Sequence, residues 1–457
     1  MKSRAILAVG VCKAAHAAIR LLRRGGTAMP GKIALKICPD LAAELASEMD
    51  IIAITGTNGK TTSARMVEEA LREGGIACVA NRSGANLLSG IVTELAQNAD
   101  CAGRPRVKTA VIECDEAAAR RAFGQLKPRV ILVTNLFRDQ LDRYGEVTHT
   151  LENLRAGISQ APEAVLCLNA DCSLTASLAE GAPNAVRWYG LGKDAAAGAA
   201  APEISDATHC LACRAAYEYD YVTYGHLGGW RCPRCGRKRP AADVSVERVS
   251  ARMPDCTDCE LCVDGAQYAM RVNLPADYNL YNAAGAVTAA AAAGVDVQAA
   301  VNAAGEFRCG FGRMERFDLG GAGTRMMLVK NPAGCCRVLE FLQTLEGKFN
   351  LVVCLNDNDA DGTDVSWIWD ADFETLADLG TLGSVTVGGT RACDMAMRIK
   401  YAGVAPEKIT VEPSWDGIAE KIAASAAPVY IMPTYTAMLS LRAQLIKRTG
   451  GSDFWEG

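Results

Sequence analysis

Short apolar runs alternate with stretches of helical spacing along most of this chain. The runs Ile51–Ile54, Ala77–Ala80, Ala110–Glu113, Val130–Thr134 and Ala164–Leu168 are too short for helices and apolar throughout. They predict strands of a mostly parallel sheet with helices on both faces. The Ala/Gly-rich stretch Ala195–Pro202 breaks the alternation and reads as a linker. A cysteine- and tyrosine-rich insert follows, from about His209 to Pro240, then short strand-like pieces and a long alanine-rich helix near Ala283–Ala293. A glycine-rich connection at Phe317–Gly323 precedes a second α/β unit. Its expected strands are Met326–Lys330, Leu351–Leu355, Val385–Gly388, Ile409–Val411 and Val429–Met432. No internal repeat is visible.

The loop after the first strand carries the strongest chemical signal. Thr55-Gly56-Thr57-Asn58-Gly59-Lys60-Thr61-Thr62 joins the apolar run to a segment with helical spacing, Ser63–Leu71. A strand, a glycine loop ending in Lys-Thr and a helix form a binding site for a nucleoside triphosphate. Glycines let backbone N–H groups converge on phosphate oxygens, and the helix N-terminus adds positive potential. Lys60 would reach the β- and γ-phosphates and the Thr61 hydroxyl would ligate Mg²⁺. The glycine spacing is shorter than in the general P-loop, with Ile54 in the usual first-glycine position.

Composition narrows the class. Of 457 residues, 50% are hydrophobic and 22% charged, as in a globular protein of two to four domains. Lys and Arg total 48 against 52 Asp and Glu, so no global cationic field invites nucleic acid. No apolar stretch reaches the length of a membrane span. The N-terminus is basic, with no acidic residue before Asp40, and Lys13 cuts its apolar run short. It reads as an amphipathic basic helix, either packed on the first domain or resting on an anionic membrane surface. Nineteen cysteines scattered through a long nucleotide-binding chain fit reduced thiols and a metal site in a cytosolic setting.

Four of those thiols are grouped. Cys210-Leu-Ala-Cys213 and Cys232-Pro-Arg-Cys235 are two knuckles able to supply one tetrahedral Zn²⁺, with Tyr217, Tyr219, Tyr221, Tyr224 and Trp230 between them for a small core. With no ligand position left open, such a ribbon is a structural staple. Cys256, Cys259 and Cys262 hint at an iron–sulfur site but lack a fourth thiol nearby, so they read as unrelated thiols. Glu113 ends an expected strand and is the best-placed carboxylate for a metal near the γ-phosphate. The segment Thr134–Gly145 follows another expected strand and would face the same crevice. In the second unit, the acidic loop Asn356–Asp370 reads as a cation site or as a series of turns.

Together these motifs resemble the Mur ligase family. The likeness rests on Thr55–Thr62, Asn81-Arg-Ser-Gly-Ala-Asn86, Glu113-Cys-Asp-Glu-Ala117, Asn135–Gly145, the four-cysteine insert, Lys330-Asn-Pro-Ala-Gly334 and Leu355–Glu374, and runs from about Gly25 to Ala437. Within that family it resembles the synthetase subunits that amidate lipid II. The implied fold is α/β: a Mur ligase-like P-loop central domain with an inserted four-cysteine zinc ribbon, then a Rossmann-like α/β C-terminal domain. The corresponding boundaries are 1–48 for a basic helical segment, 49–206 with 241–318 for the central domain, 207–240 for the ribbon and 319–457 for the C-terminal domain. The implied activity is ATP-dependent amidation of the D-glutamate α-carboxylate of the lipid II stem peptide, through an acyl phosphate, with ammonia from a GatD-type glutaminase.

By motif, the resemblance assigns the nucleotide to Gly56, Thr57, Asn58, Gly59, Lys60, Thr61, Thr62, Asn282 and Arg313, and Mg²⁺ to Thr61 and Glu113. It assigns Zn²⁺ to Cys210, Cys213, Cys232 and Cys235. Asp364 matches an aspartate lent to the partner's Cys–His pair; no convincing Cys–His dyad is recognisable in this chain. Gln140 stands where many Mur ligases have a metal-linked histidine. Two other readings remain: a stand-alone amino-acid ligase of the folylpolyglutamate type, and a non-catalytic nucleotide-gated scaffold.

Overall fold

The computed structural model describes residues 2–21, 28–81, 85–137, 147–196, 207–253, 256–274, 277–307, 313–319 and 323–450. They fall into two compact units, residues 2–137 with 147–307, and residues 313–450. The expected linker is described only as far as Ala196. Arg82–Gly84 and Arg138–Glu146, with Gln140, lie outside the described residues.

The first unit opens with α1 (Ser3–Leu21), α2 (Ala28–Ile37) and α3 (Leu41–Ala46). Ala5, Ala8, Val9 and Cys12 form a buried stripe at helical spacing, so α1 packs through small side chains. The described helices α1, α2 and α3 are thus packed into this unit. Its sheet has nine strands. β1 (Asp50–Thr55), β2 (Cys78–Ala80), β3 (Thr109–Glu113), β4 (Val130–Val133), β5 (Val165–Asn169) and β6 (Val186–Leu191) pair in parallel. A separate two-stranded ribbon, β7 (Glu218–Tyr224) and β8 (Leu227–Arg231), comes from the insert. The sheet then resumes with β9 (Val244–Arg252), β10 (Thr257–Val263) and β11 (Ala266–Val272) in the order β11-β10-β9-β6-β5-β4-β1-β3-β2.

Strands β1, β3 and β4 are buried along nearly their whole length, which is why they read as continuous apolar runs. The outer wing β9–β11 is antiparallel beyond β9 and alternates instead. On β10, Thr257, Cys259, Leu261 and Val263 are buried, while Asp258, Glu260 and Cys262 are partly open. A spacing of three puts Cys259 and Cys262 on opposite faces of a strand, so the three nearby thiols form no cluster.

Register brings the strand ends together. Ile54 stands opposite Glu113, and Thr55 opposite Val133, so the loops after β1, β3 and β4 open on one edge. Three helices follow that edge's strands: α4 (Lys60–Glu73) after β1, α5 (Leu88–Asn98) after β2, and α6 (Glu116–Leu126) after β3. The alanine-rich helix spans Tyr278–Ala292 and is buried almost all round, from Asn279 to Ala290.

The second unit has a six-stranded sheet ordered β12-β13-β17-β14-β15-β16. β12 (Arg313–Phe317) pairs antiparallel with β13 (Thr324–Met327). Strands β14 (Phe349–Cys354), β15 (Leu382–Gly388), β16 (Ile409–Val411) and β17 (Val429–Pro433) are parallel. β12 joins this sheet, so the described residues from Arg313 on belong to the second compact unit. The strand expected at Met326–Lys330 ends at Met327, since Asn331 caps the next helix, Pro332–Gln343, by accepting from Gly334 N at 2.8 Å. Proline at its first turn completes the start signal.

Candidate nucleotide site and four-cysteine centre

The β1–α4 loop turns on two glycines with positive φ, Gly56 at 119° and Gly59 at 86°. Neither tolerates a side chain. A Cβ on Gly56 would lie 2.3 Å from Thr134 Oγ1, and one on Gly59 would lie 2.1 Å from Asn282 Oδ1. Backbone bonds from the β4 end hold the loop between them. Thr57 N donates to Asn135 O at 2.8 Å, Asn58 N to Asn135 Oδ1 at 3.0 Å, and Asn135 Nδ2 to Asn58 O at 3.0 Å. Phe137 N donates to Thr57 Oγ1 at 3.0 Å.

At the helix start, Lys60 is buried and its Nζ lies 3.0 Å from Glu116 Oε2; it also donates to the carbonyl of Gly56. Next to it, Thr61 Oγ1 donates to Glu113 Oε2 at 2.8 Å. Asn81 fixes the backbone of Glu113 from both sides: Glu113 N donates to Asn81 Oδ1 at 2.8 Å, and Asn81 Nδ2 to Glu113 O at 2.8 Å. Asn282 donates to Asn279 Oδ1 at 3.0 Å and accepts from Ser63 Oγ at 3.4 Å. Residues Gly56 to Thr62, Glu113 and Asn282 therefore meet on one edge of the sheet. Arg313 begins β12 in the other unit, and its side chain lies outside the described residues.

The arrangement suits a triphosphate with a divalent cation. A hydroxyl and a carboxylate converge at 2.8 Å, a lysine stands at the loop's end, and helix N–H groups face the same edge. Glu116 is the member that motif reading passed over in favour of Glu113. Its signal was present, as a carboxylate in the first turn of the helix after β3, but no pattern says that it turns toward Lys60. Replacing Gly59 by alanine tests the loop directly. A left-handed backbone costs an L residue about 1–2 kcal/mol, and the clash with Asn282 adds to it, so titration calorimetry should find nucleotide affinity lowered more than about tenfold.

In the insert, the four thiol sulfurs of Cys210, Cys213, Cys232 and Cys235 lie within 4.8 Å of one another. The Cys210–Cys235 and Cys213–Cys232 sulfurs are 3.5 and 3.4 Å apart, far beyond a disulfide bond. Four ligands at zinc–thiolate bond length stand about 3.8 Å from one another, so four sulfurs gathered this closely suit the ion. Each knuckle ends in a left-handed residue, Arg214 (φ 62°) and Gly236 (φ 75°). Burial pushes the Cys210 thiol up, but N–H groups of Cys213 and Ala212 and the neighbouring thiols outweigh it and bring it to about 6. A thiol so disposed is a ready metal ligand.

The insert is docked, not loose. Trp230 Nε1 donates to Ala170 O at 3.0 Å and Tyr221 OH to Leu191 O at 2.6 Å. Phe137 packs against Tyr224 and His226 at ring separations of 5.4 and 4.6 Å. Beneath it, buried Asp171 accepts from Arg239 Nε at 2.6 Å, Tyr281 OH at 2.5 Å and Leu191 N at 3.0 Å. Burial raises the Asp171 carboxyl above its usual range against the pull of Arg239. A Cys–His contact, unrecognised in the sequence, is also here: Cys172 Sγ lies 3.3 Å from His226 Nε2. Both side chains are buried, so the pair is a packing contact with no path for a substrate.

In the second unit the acidic loop is wired by turns. Asp361 accepts from Thr436 N at 2.7 Å, Asn356 Nδ2 donates to Thr436 Oγ1 at 2.8 Å, and Asp357 pairs with Arg391 at 3.1 Å. These groups are committed to the fold, which favours the turn reading over a cation site. Asp364 is half-exposed and accepts from Ser366 N at 2.8 Å, at the start of a short 3₁₀ turn. Beyond it, buried Arg398 grips the loop by donating to Ile368 O at 2.9 Å and Ala371 O at 2.7 Å.

Comparison with known proteins agrees with this geometry. Residues 54–224 match the Mur ligase middle domain and residues 328–438 the MurT ligase C-terminal domain. The chain is 33% identical over 438 residues to the lipid II isoglutaminyl synthase subunit MurT of Streptococcus pneumoniae, covering 95% of this chain and 96% of that one. It is likewise 33% identical to the MurT subunit of Staphylococcus aureus, covering 96% and 97%. Among solved structures, a pseudomurein peptide ligase type C from Methanothermus fervidus shares the fold, with TM-score 0.66 and 19% identity over 88% of this chain and 79% of that one. A P-loop on a parallel sheet edge, followed by a MurT C-terminal domain, leaves one assignment: the chain belongs to the Mur ligase family, in its MurT branch.

Proposed function

We propose that this chain is the ATP-consuming subunit of a glutamine-hydrolysing lipid II isoglutaminyl synthase. The observation that carries the reading is the full-length likeness to MurT subunits in a chain whose Lys60, Thr61 and Glu113 stand together at the strand ends. The substrate is the α-carboxylate of D-glutamate in the lipid II stem peptide. A carboxylate oxygen takes the γ-phosphoryl group of ATP and ADP leaves. Ammonia then attacks the acyl carbon, the C–O bond to phosphate breaks, the nitrogen loses a proton to the leaving phosphate, and the products are D-isoglutamine and hydrogen phosphate. Phosphoryl transfer asks the protein for position and charge, not for a nucleophile.

In this reading the backbone of Gly56 to Thr62 cradles the phosphates, Lys60 neutralises them, and Thr61 and Glu113 hold Mg²⁺. By motif, Asn282 contacts the base and Arg313 is a further nucleotide contact. Asp364 orients the histidine of a GatD-type partner that releases ammonia from glutamine, following the logic of a nucleophile–base–carboxylate triad. Peptidoglycan precursors place the reaction in the cytoplasm, at the inner face of the plasma membrane. No helix of the described residues is long and apolar enough to cross it.

Zn²⁺ in the four-cysteine centre would staple the insert. Chelation should release one equivalent of zinc by mass spectrometry. With the insert docked through Trp230 and Tyr221, the rest of the unit stays folded, but losing several kcal/mol lowers its thermal midpoint by roughly 5–10 °C. The function itself is tested by product mass: this chain with lipid II, ATP, Mg²⁺, glutamine and a GatD-type glutaminase should yield amidated lipid II. Absence of product from both glutamine and ammonium rejects it.

A further inference from the structure

The N-terminal helices have an outward face unlike that of an ordinary surface helix. Such helices normally turn charge to water. On α1, beyond Arg4, the exposed positions are Ile6, Leu7, Gly10, Ala14, Ala17, Ala18 and Leu21. None is polar. Leu7 is 60% and Leu21 86% exposed. On α2, Met29 and Ile33 face outward beside Lys32 and Lys36, and Met29 is 61% exposed. The buried sides are fully used. Ala5, Ala8, Val9 and Cys12 of α1 are covered, and Gly31 of α2 comes so close to α5 that a Cβ there would lie 1.8 Å from Ser89 O.

Charge identifies what would cover this face. The first acidic residue of the chain is Asp40. Glu44, the nearest acid on α3, is engaged with Lys2 at 3.5 Å. Lys13, in the middle of α1, turns inward to donate to Ala99 O. What remains outside is an apolar strip flanked by Lys32 and Lys36 and by exposed Arg4, which also donates to the Ile37 carbonyl. That combination suits an anionic lipid surface, where apolar side chains enter the acyl boundary and ammonium groups meet phosphates. At 19 residues, α1 would extend about 28 Å along such a surface.

We propose that the outward face of α1 and α2 lies on the surface of an anionic bilayer and holds the enzyme there as a peripheral protein. The proposal deepens the reading of a lipid-borne substrate and rests on it for its purpose. The test uses the full chain in complex with a GatD-type glutaminase, sedimented with vesicles of phosphatidylcholine alone or of phosphatidylcholine with phosphatidylglycerol. Binding is expected to the anionic vesicles and to fall with salt. The double variant Leu7→Glu/Met29→Glu should lower vesicle partition by more than about tenfold, and Lys32→Glu/Lys36→Glu should remove the preference for phosphatidylglycerol. Both variants alter exposed side chains and should keep amidation of lipid II in detergent micelles. Failure of the parent complex to bind anionic vesicles overturns the proposal, as does binding that both variants leave intact. So does an unchanged vesicle result with altered sedimentation mass in the Leu7→Glu/Met29→Glu variant, which would make this face a protein contact. Micellar amidation without vesicle binding would reject the surface while leaving the function standing.

Discussion

Replacing Lys60 by alanine is expected to cut ATP-dependent amidation by about 10²–10³-fold, the scale seen when one preorganised donor to a developing charge is removed. Lys60 is held at the start of α4 by Glu116, 3.0 Å away, and by the loop carbonyls of Gly56 and Thr57. These are partners that a triphosphate can replace: phosphate oxygens offer the ammonium stronger, charge-assisted bonds than carbonyls do. The glycine loop brings backbone N–H groups, and Lys60 supplies the formal positive charge of the segment Thr55–Thr62. Arginine is a poor substitute. Its planar fork would have to take the place of a compact ammonium buried between Glu116 and the carbonyls of Gly56 and Thr57. The variant is judged by two measurements. Steady-state amidation gives the rate, and thermal unfolding with and without ATP gives binding: saturation at 100 times the dissociation constant stabilises by about 2.7 kcal/mol, which the variant should lose. A Lys60→Ala enzyme retaining activity within tenfold of the parent would show that the phosphates sit elsewhere.

Much of the first unit was legible because its strands are buried on both sides. Runs such as Ile51–Ile54 and Val130–Val133 have few other ways to satisfy backbone and side chain at once, and the glycine loop between a strand and a helix fixes the sheet edge that carries chemistry. The wing β9–β11 was less legible, since half-open antiparallel strands alternate, and alternation interrupted by bulges at Asp258/Cys259 and Glu260/Leu261 is a weaker pattern. Other features depend on contacts that no local pattern encodes. Glu116 reaches Lys60 across 56 positions, and Asp361 holds Thr436 across 75. The Cys172–His226 contact exists only because the insert's hairpin folds back onto the strand-end loop after β5. The same long-range bonds decide the acidic loop, where composition suggested a cation site and hydrogen bonds make it a framework of turns.

That framework leads to the second expected result. Asp364→Asn should lower glutamine-driven amidation by about 10²–10⁴-fold, within the range of losing a carboxylate that orients a catalytic histidine, while leaving ammonium-driven amidation near the parent rate. Arg398 is 2% exposed and binds two carbonyls, of Ile368 and Ala371, as well as Glu374 at 2.7 Å, so the segment after Asp364 is held rigidly. Ser366 N fixes one carboxylate oxygen of Asp364 at 2.8 Å. A half-exposed carboxylate held in this way is suited to a group on another protein. Asparagine keeps the size and can still accept from Ser366 N, so the fold and the complex should persist, which gel filtration with the glutaminase would verify. Only the negative charge that favours a protonated histidine is lost. The two nitrogen sources therefore separate two roles. Loss with glutamine alone assigns Asp364 to ammonia release in the partner. Equal loss with both sources would instead put Asp364 in the synthetase step itself, and no loss with either would remove it from the reaction.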